Sequence, residues 1–166
     1  MPPRRLKQRS RADLRVGTSG WHYAGWWGPF YPETVRKKDA LIHYASRFDA
    51  AELNAPFYRT PTENAVRNWA ESTPLGFRFA WKASRFLTHF KRLLVDDRSL
   101  QLLEDRVALL GKKAGPVLFQ LPPQMPADRE RLAVFMKRLN RNRRYCASRR
   151  HVNILLTAGG ASQRQA

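Results

Sequence analysis

Segments with strand-like and helix-like hydrophobic patterns alternate along residues 14–139. In the strand-like segments apolar side chains recur at every second position, whereas in the helical segments they recur every three or four residues. This alternation is typical of parallel strands joined by helical crossovers, so four strand–helix units are predicted. The predicted strands span residues 14–21, 50–54, 77–84 and 116–122. The predicted helices span residues 39–48, a segment that begins near 60, 97–110 and 128–139.

Two of these helices have recognisable end signals. The second is predicted to be capped by Thr60, with Pro61 at its first position and Glu63 completing a capping box. The third has Gly111 directly after its apolar stripe, where a glycine often ends a helix.

After Asn140 this pattern is lost. Residues 140–153 are rich in arginine without apolar alternation, and residues 154–166 end in small and polar side chains. We therefore expect a degenerate fifth strand. The predicted division is a basic arm at 1–12, an α/β domain at 13–140 and a C-terminal tail at 141–166.

Composition is typical of a globular protein and does not select a function. The chain has 166 residues, 43% of them hydrophobic, which is enough for one domain with a substantial core. Its single cysteine, Cys146, excludes an internal disulfide and a zinc site built on several cysteines. Because the sequence contains neither a signal-peptide pattern nor a long apolar run, we expect a cytoplasmic protein without a membrane partner.

The net charge of +18 is concentrated near the two ends of the chain. Residues 1–12 contribute +5 and residues 129–166 contribute +9, which leaves +4 for residues 13–128. Basic arms of this kind bind phosphate backbones non-specifically at low salt. They are compatible with functional nucleic-acid binding and equally with arms that only remain solvated.

Three runs, residues 15–32, 48–89 and 115–123, are similar to segments of the YecE-like family (domain of unknown function 72). They read RVGTSGWHYAGWWGPFYP, FDAAELNAPFYRTPTENAVRNWAESTPLGFRFAWKASRFLTH and GPVLFQLPP. The resemblance implies an α/β fold that is part of a TIM-type β/α barrel, with about four βα units and a degenerate fifth strand. A complete barrel of this type has eight strands and about 250 residues.

The resemblance weakens at the fifth strand. The family pattern there has a glutamate and then Arg-His-x-Ser-Trp, whereas this chain has Ser148 at the acidic position and keeps Arg150 and His151 without the Ser-Trp. We therefore expect a truncated or frameshifted product after about residue 145, without catalysis of its own. Exposed strand edges in such a partial barrel would favour self-association.

The resemblance also locates a candidate site, because active sites of β/α barrels lie at the carboxyl ends of the strands. Strand alternation places Glu52 and Asn54 opposite Leu53, and it places Lys82 and Gln120 opposite apolar neighbours. Lys82 can form a Schiff base, or it can hold an anionic oxygen while Glu52 acts as general base. The alternative is an ion pair between them that only fixes the register of the strands.

Further candidates follow from the histidines. His89 belongs to the matched Thr-His pair and has a side chain that titrates near neutrality, so it is either an acid/base group or a histidine that holds its loop. His22, His43 and His151 lack the spacing of metal ligands, and we assign no metal and no cofactor.

Aromatic residues form the remaining candidates. A loop rich in aromatic side chains at residues 21–31, with Phe57 and Tyr58, is either a wall for a sugar or base or a plug over the barrel end. We assign Trp21 to ligand binding, and Tyr58 and Arg59 to an anionic group of the ligand.

Two functions remain open at this point. In the first, the parent fold is an enzyme that acts on a small polar, sugar-like or phosphorylated molecule at the barrel mouth. In the second, the chain is a nucleic-acid or nucleotide-binding module that uses the basic arms and the aromatic loop.

Overall fold

A single sheet organises the computed structural model, which describes residues 14–149 and 152–156. Its six strands lie in chain order, with the first five parallel and the sixth antiparallel to the fifth. The strands are β1 (Gly17–Ser19), β2 (Ala50–Leu53), β3 (Arg78–Lys82), β4 (Ala114–Gln120), β5 (Tyr145–Arg149) and β6 (Val152–Leu156). The parallel α/β organisation predicted from the hydrophobic pattern is thus confirmed.

Helical segments connect the parallel strands. The α-helices are α1 (Ala40–Ala45), α2 (Ala55–Tyr58), α3 (Glu63–Glu71), α4 (Asp97–Ala108) and α5 (Arg129–Lys137). Short 3-10 turns lie at Ala24–Trp26, Lys37–Asp39 and Gly111–Lys113, and a π-helical turn lies at Phe86–Phe90. The short helix α2 and the π-helical turn were not predicted, because neither is long enough to show a helical hydrophobic period.

The two faces of the sheet differ in burial. Leu53, Phe79, Trp81, Val117 and Phe119 are buried in the core on the face that the helices cover. The residues between them in sequence point to the other face, where they are half-buried or exposed. Polar side chains on this second face are therefore the ones that a ligand can reach.

The fifth strand is regular, which corrects the expectation of a degenerate one. It pairs with β4 from Val117↔Tyr145 to Gln120↔Ser148. The buried Tyr145 donates a hydrogen bond to Glu104 Oε1 at 2.6 Å, and Arg143 Nε lies 2.5 Å from Glu104 Oε2. The apolar alternation is short, but these long-range contacts to α4 hold the strand in place.

The N-terminus of α3 also differs from its prediction. Thr62, not Thr60, is the cap, since its Oγ1 accepts a hydrogen bond from the Ala65 amide at 3.2 Å. Thr62 has extended backbone angles, so the helix begins one residue later, at Glu63. The Glu63 carboxylate pairs with Arg106 of α4 at 2.8 Å instead of closing a capping box.

Aromatic residues of the loop at 21–31 pack against α1. Tyr31 is fully buried, Trp26 stacks on Tyr44, and Phe30 contacts the edge of the His43 ring. Tyr44 Oη also accepts from the Thr18 amide at 2.8 Å and donates to the Ala50 carbonyl at 2.9 Å. Part of the loop therefore packs against the core, beside the Tyr44 side chain that ties β1 to β2.

The close approach of β1 and β2 requires a glycine at position 17. A Cβ at Gly17 would lie 1.9 Å from the Ala50 carbonyl oxygen, whereas a Cβ at Gly25 would meet nothing within 4 Å. We expect Gly17→Ala to lower the free energy of unfolding by roughly 1–3 kcal/mol through overpacking, as measured by urea denaturation. The matched Gly25→Ala variant should change it by less than about 0.5 kcal/mol. Equal effects of the two variants would show that the β1–β2 approach is not tight.

Candidate functional site

Three polar side chains form a hydrogen-bonded network at the carboxyl ends of β1 and β2. Ser19 Oγ donates to Glu52 Oε1 at 2.8 Å, and Asn54 Nδ2 donates to the same Ser19 Oγ at 2.6 Å. Ser19 is paired with Glu52 in the register of the sheet, which places the two side chains on the same face. Ser19 was missed by the sequence analysis, because its position beside Glu52 depends on the register between strands.

A second cluster joins β3 to the segment after it. Lys82 Nζ lies 4.8 Å from the centroid of the Phe57 ring, and the edge of the same ring packs against His89 at 5.3 Å between centroids. Phe57 lies on α2, directly after β2. One aromatic side chain therefore brings together the ammonium and the imidazole that the sequence analysis selected.

The hydrogen bonds of Thr88 define the ring state of His89. Thr88 is fully buried, and its Oγ1 donates to the Ser84 carbonyl oxygen at 3.1 Å. The same Oγ1 lies 2.9 Å from His89 Nδ1. Because a hydroxyl has a single proton, directing it at Ser84 selects the tautomer in which Nδ1 is the donor of the second contact. The neutral ring then has its acceptor at Nε2, so the side chain can take up a proton there.

Electrostatics favour the neutral form of His89. Burial lowers the pKa of the imidazole below its ordinary value, and the nearby Lys82 ammonium lowers this pKa further. Both effects act because the charged ring would be poorly solvated and close to a like charge. At neutral pH the side chain is thus a base and not a cation.

The Glu52 carboxylate and the Lys82 ammonium lie at different levels along the strands of the sheet. Glu52 is level with Ala80, whereas Lys82 is level with Leu118, two residues farther along β3. Among residues 14–149, the ion pairs within 4.0 Å do not include one between Glu52 and Lys82. The ion-pair alternative raised by the sequence is therefore not realised, and each group belongs to its own polar cluster.

The other selected residues are more dispersed. Gln120 is exposed at the end of β4, where it pairs with Ser148, and Tyr58 and Arg59 are exposed at the end of α2. Trp21 contacts Trp69 and Phe79, so it lies near the helix-covered face and apart from Glu52 and Lys82. Its role in ligand binding stays a prediction.

A cavity of about 190 Å³ lies away from these polar groups. It is a partly open cavity between α2, the π-helical turn and α4, with Pro56, Trp81, Leu103 and Arg106 among its lining residues. The guanidinium of Arg106 is already paired with Glu63, and most of the wall is apolar. Neither Glu52 nor Lys82 nor His89 lines this cavity.

The described residues contain neither a metal-binding group of side chains nor a membrane-spanning helix. Within 14–149 and 152–156, no group of three or more His, Cys, Asp or Glu side chains is arranged to hold a metal ion. No helix in this part of the chain is long and apolar enough to cross a membrane. His151 and the tail from 157 lie outside it, as do residues 1–13 with the N-terminal basic arm.

Part of the basic charge near the C-terminus is neutralised within the fold. Arg131 pairs with Asp128 at 3.1 Å, Arg138 with Asp97 at 2.7 Å, and Arg143 with Glu104 at 2.5 Å. The Arg131 pair is local to the start of α5, whereas Arg138 and Arg143 attach the end of α5 and the segment after it to α4. The charge of +9 near this end is therefore only partly available to a polyanion.

Fold and site together define an α/β protein with polar side chains collected at the carboxyl ends of parallel strands. The chain belongs to the family described as "Protein of unknown function DUF72", which it matches over residues 15–158. This confirms the resemblance found in the sequence. The UPF0759 protein YunF of Bacillus subtilis (strain 168) is 30% identical over 126 residues, which are 72% of this chain and 44% of YunF.

Solved structures of the same family share the fold. A DUF72 family protein from Thermotoga maritima superposes with a TM-score of 0.70 at 24% identity, covering 82% of this chain and 55% of that one. One from Enterococcus faecalis gives 0.59 at 20% identity, covering 74% and 45%. The chain thus spans about half the length of the relatives it matches.

The electrostatic effect of Lys82 on His89 predicts a change in the titration of the imidazole. We expect Lys82→Met to raise the pKa of His89, since it removes a like charge, and NMR titration of the ring protons measures this directly. Lys38→Met, on an exposed side chain of a distant 3-10 turn, should leave this pKa unchanged.

The lowered pKa of His89 makes the stability of the fold depend on pH. The folded state holds the His89 proton less tightly than the unfolded chain, so stability falls as the pH drops through the unfolded value near 6.5. Lys82→Met should make this loss smaller. An unchanged His89 titration in Lys82→Met would show that the ammonium does not act on the ring.

Proposed function

We propose that the five parallel strands belong to a TIM-type β/α barrel whose open face binds a small polar ligand. Two observations support the barrel: the parallel strands follow chain order, and in the described residues the buried apolar side chains of the strands share one core with those of the helices. The likeness to the Thermotoga maritima and Enterococcus faecalis proteins shows a shared fold. In a barrel the uncovered face lines the interior, and ligands bind at the carboxyl ends of the strands.

The observation that carries this proposal is the convergence of two complementary clusters on that end of the sheet. Ser19, Glu52 and Asn54 present hydrogen-bond donors and acceptors of the kind that hold sugar hydroxyls. Lys82 and His89 present an ammonium and a basic nitrogen beside the Phe57 ring. This combination supports a sugar-like ligand that carries a phosphate or carboxylate.

The geometry also supports a division of roles. Lys82 holds an anionic oxygen of the ligand, and its cation–π contact with Phe57 stabilises the charged ammonium. This favours electrostatic action over a Schiff base, which requires a neutral amine. His89 accepts a proton at Nε2, while Glu52, oriented by Ser19, binds a hydroxyl or acts as a second base.

Ligand binding by the 166-residue chain is the measurement that tests this function. We expect sugar phosphates to raise its melting temperature more than the matching unphosphorylated sugars do, since only the phosphate engages Lys82. Lys82→Ala should remove the difference, whereas Lys112→Ala, at an exposed position on another turn, should preserve it.

A second variant tests the network of Ser19, Glu52 and Asn54 independently of Lys82. Ser19→Ala removes the hydroxyl that joins Glu52 and Asn54, so it should weaken binding of both sugar forms alike. The proposal fails if sugar phosphates and sugars have equal effects on the unmodified chain across a panel of pentoses and hexoses. It also fails if Lys82→Ala and Lys112→Ala behave identically.

A further inference from the structure

Exposed aromatic rings and cations alternate on the segments that follow β2 and β3. Tyr58 is 68% exposed, Phe90 67% and Phe86 42%. The guanidinium of Arg85 lies between two of these rings, 5.9 Å from the centroid of Tyr58 and 5.5 Å from that of Phe90. Lys91 Nζ lies 5.6 Å from the centroid of Phe86. We call these five residues the stacking platform.

Buried neighbours hold the platform in place. Leu87 and Thr88 of the π-helical turn are buried, and so is Leu93 shortly after it. Arg92 and Leu93 have positive φ angles of 46° and 70°, so the backbone turns back sharply at this point. Such a conformation is costly for residues other than glycine, and the surrounding packing has to maintain it. The rings are therefore displayed from an anchored segment.

The platform has an excess of positive charge. Arg85, Lys91 and Arg92 lie within eight residues, and His89 among them is a base. Among the ion pairs of residues 14–149, none joins these three cations to a carboxylate within 4.0 Å. Asp96, which caps α4 through the Ser99 amide, is the nearest acid in the sequence. Arg85 and Lys91 contact aromatic rings, and Lys91 also acts electrostatically on the Asp96 carboxylate. Three cations near one carboxylate still leave an excess of positive charge for an anionic ligand.

We propose that the stacking platform binds single-stranded nucleic acid. Bases stack on Tyr58, Phe86 and Phe90, while Arg85 and Lys91 contact the phosphates between them. Alternating rings and cations match alternating bases and phosphates, and base stacking on aromatic side chains is tolerant of sequence. An acidic peptide would pair with the cations, but it would leave most of the exposed rings without a stacking partner.

Nucleic-acid binding at the stacking platform goes beyond the proposed sugar binding. It also uses another surface than the nucleic-acid hypothesis drawn from the sequence. The alternative based on sequence used the basic arms and the loop at 21–31 with Phe57 and Tyr58, whereas the platform shares only Tyr58 with that set and lies at the carboxyl ends of β2 and β3. Its binding does not require Glu52 or Ser19. Either proposal can therefore fail without the other.

The decisive experiment compares two labelled oligomers of equal length, about ten units: oligothymidylate and its abasic counterpart. Both carry the same phosphates, so the basic arms of the 166-residue chain contribute equally to each. Fluorescence anisotropy should show tighter binding of the oligothymidylate. Phe90→Ala and Tyr58→Ala should each weaken oligothymidylate binding roughly tenfold and leave abasic binding nearly unchanged. Arg85→Ala should weaken both and reduce the dependence on salt.

Control variants guard against non-specific effects. Leu75→Ala changes an apolar side chain that is 87% exposed elsewhere, and it should alter neither affinity. Trp27→Ala tests the aromatic loop as the alternative location. Circular dichroism should show unchanged folding, because the platform rings are largely exposed. Equal affinity for the two oligomers, a loss confined to Trp27→Ala, or equally tight binding of polyglutamate would each overturn the proposal.

Discussion

Parallel pairing of strands with one face buried is the constraint on which the rest of this structure depends. Apolar side chains of β2 to β5 alternate into the core beneath the helices, so the intervening residues have to face the other way. A slip of one residue would bury Glu52 or Lys82 and expose Leu53 or Trp81. The cost of burying an unpaired charge makes such a slip unfavourable, and the register is set accordingly.

Contacts between residues distant in sequence further connect the strands and helices. Tyr44 connects β1 to β2 by hydrogen bonds, and Glu104 of α4 binds both Arg143 and Tyr145 at the start of β5. Burial raises the pKa of Tyr145, and its hydrogen bond to Glu104 raises it further, so the phenol stays protonated as a donor. Lys113 donates to the carbonyls of Ala70 and Thr73 and thereby satisfies the C-terminal end of α3.

The polar end of the sheet combines groups with different physical roles. The Ser19 network is oriented by hydrogen bonds, whereas Lys82 and His89 meet across the Phe57 ring, where no hydrogen bond joins them among the described residues. The neighbouring platform then presents Phe86 and Phe90 from the same π-helical turn that presents His89. Two surfaces with different chemistry thus share one anchored segment.

By itself, the sequence determined the positions of four strands, the faces of Glu52, Asn54, Lys82 and Gln120, and the family. These properties are local, because side-chain direction alternates along a strand and family segments are contiguous. Only the tertiary structure decided the partners: Ser19 beside Glu52, Phe57 between Lys82 and His89, and a regular fifth strand supported by Glu104. Such contacts depend on the register between strands and on packing across the chain, and the periodicity of a single segment contains neither.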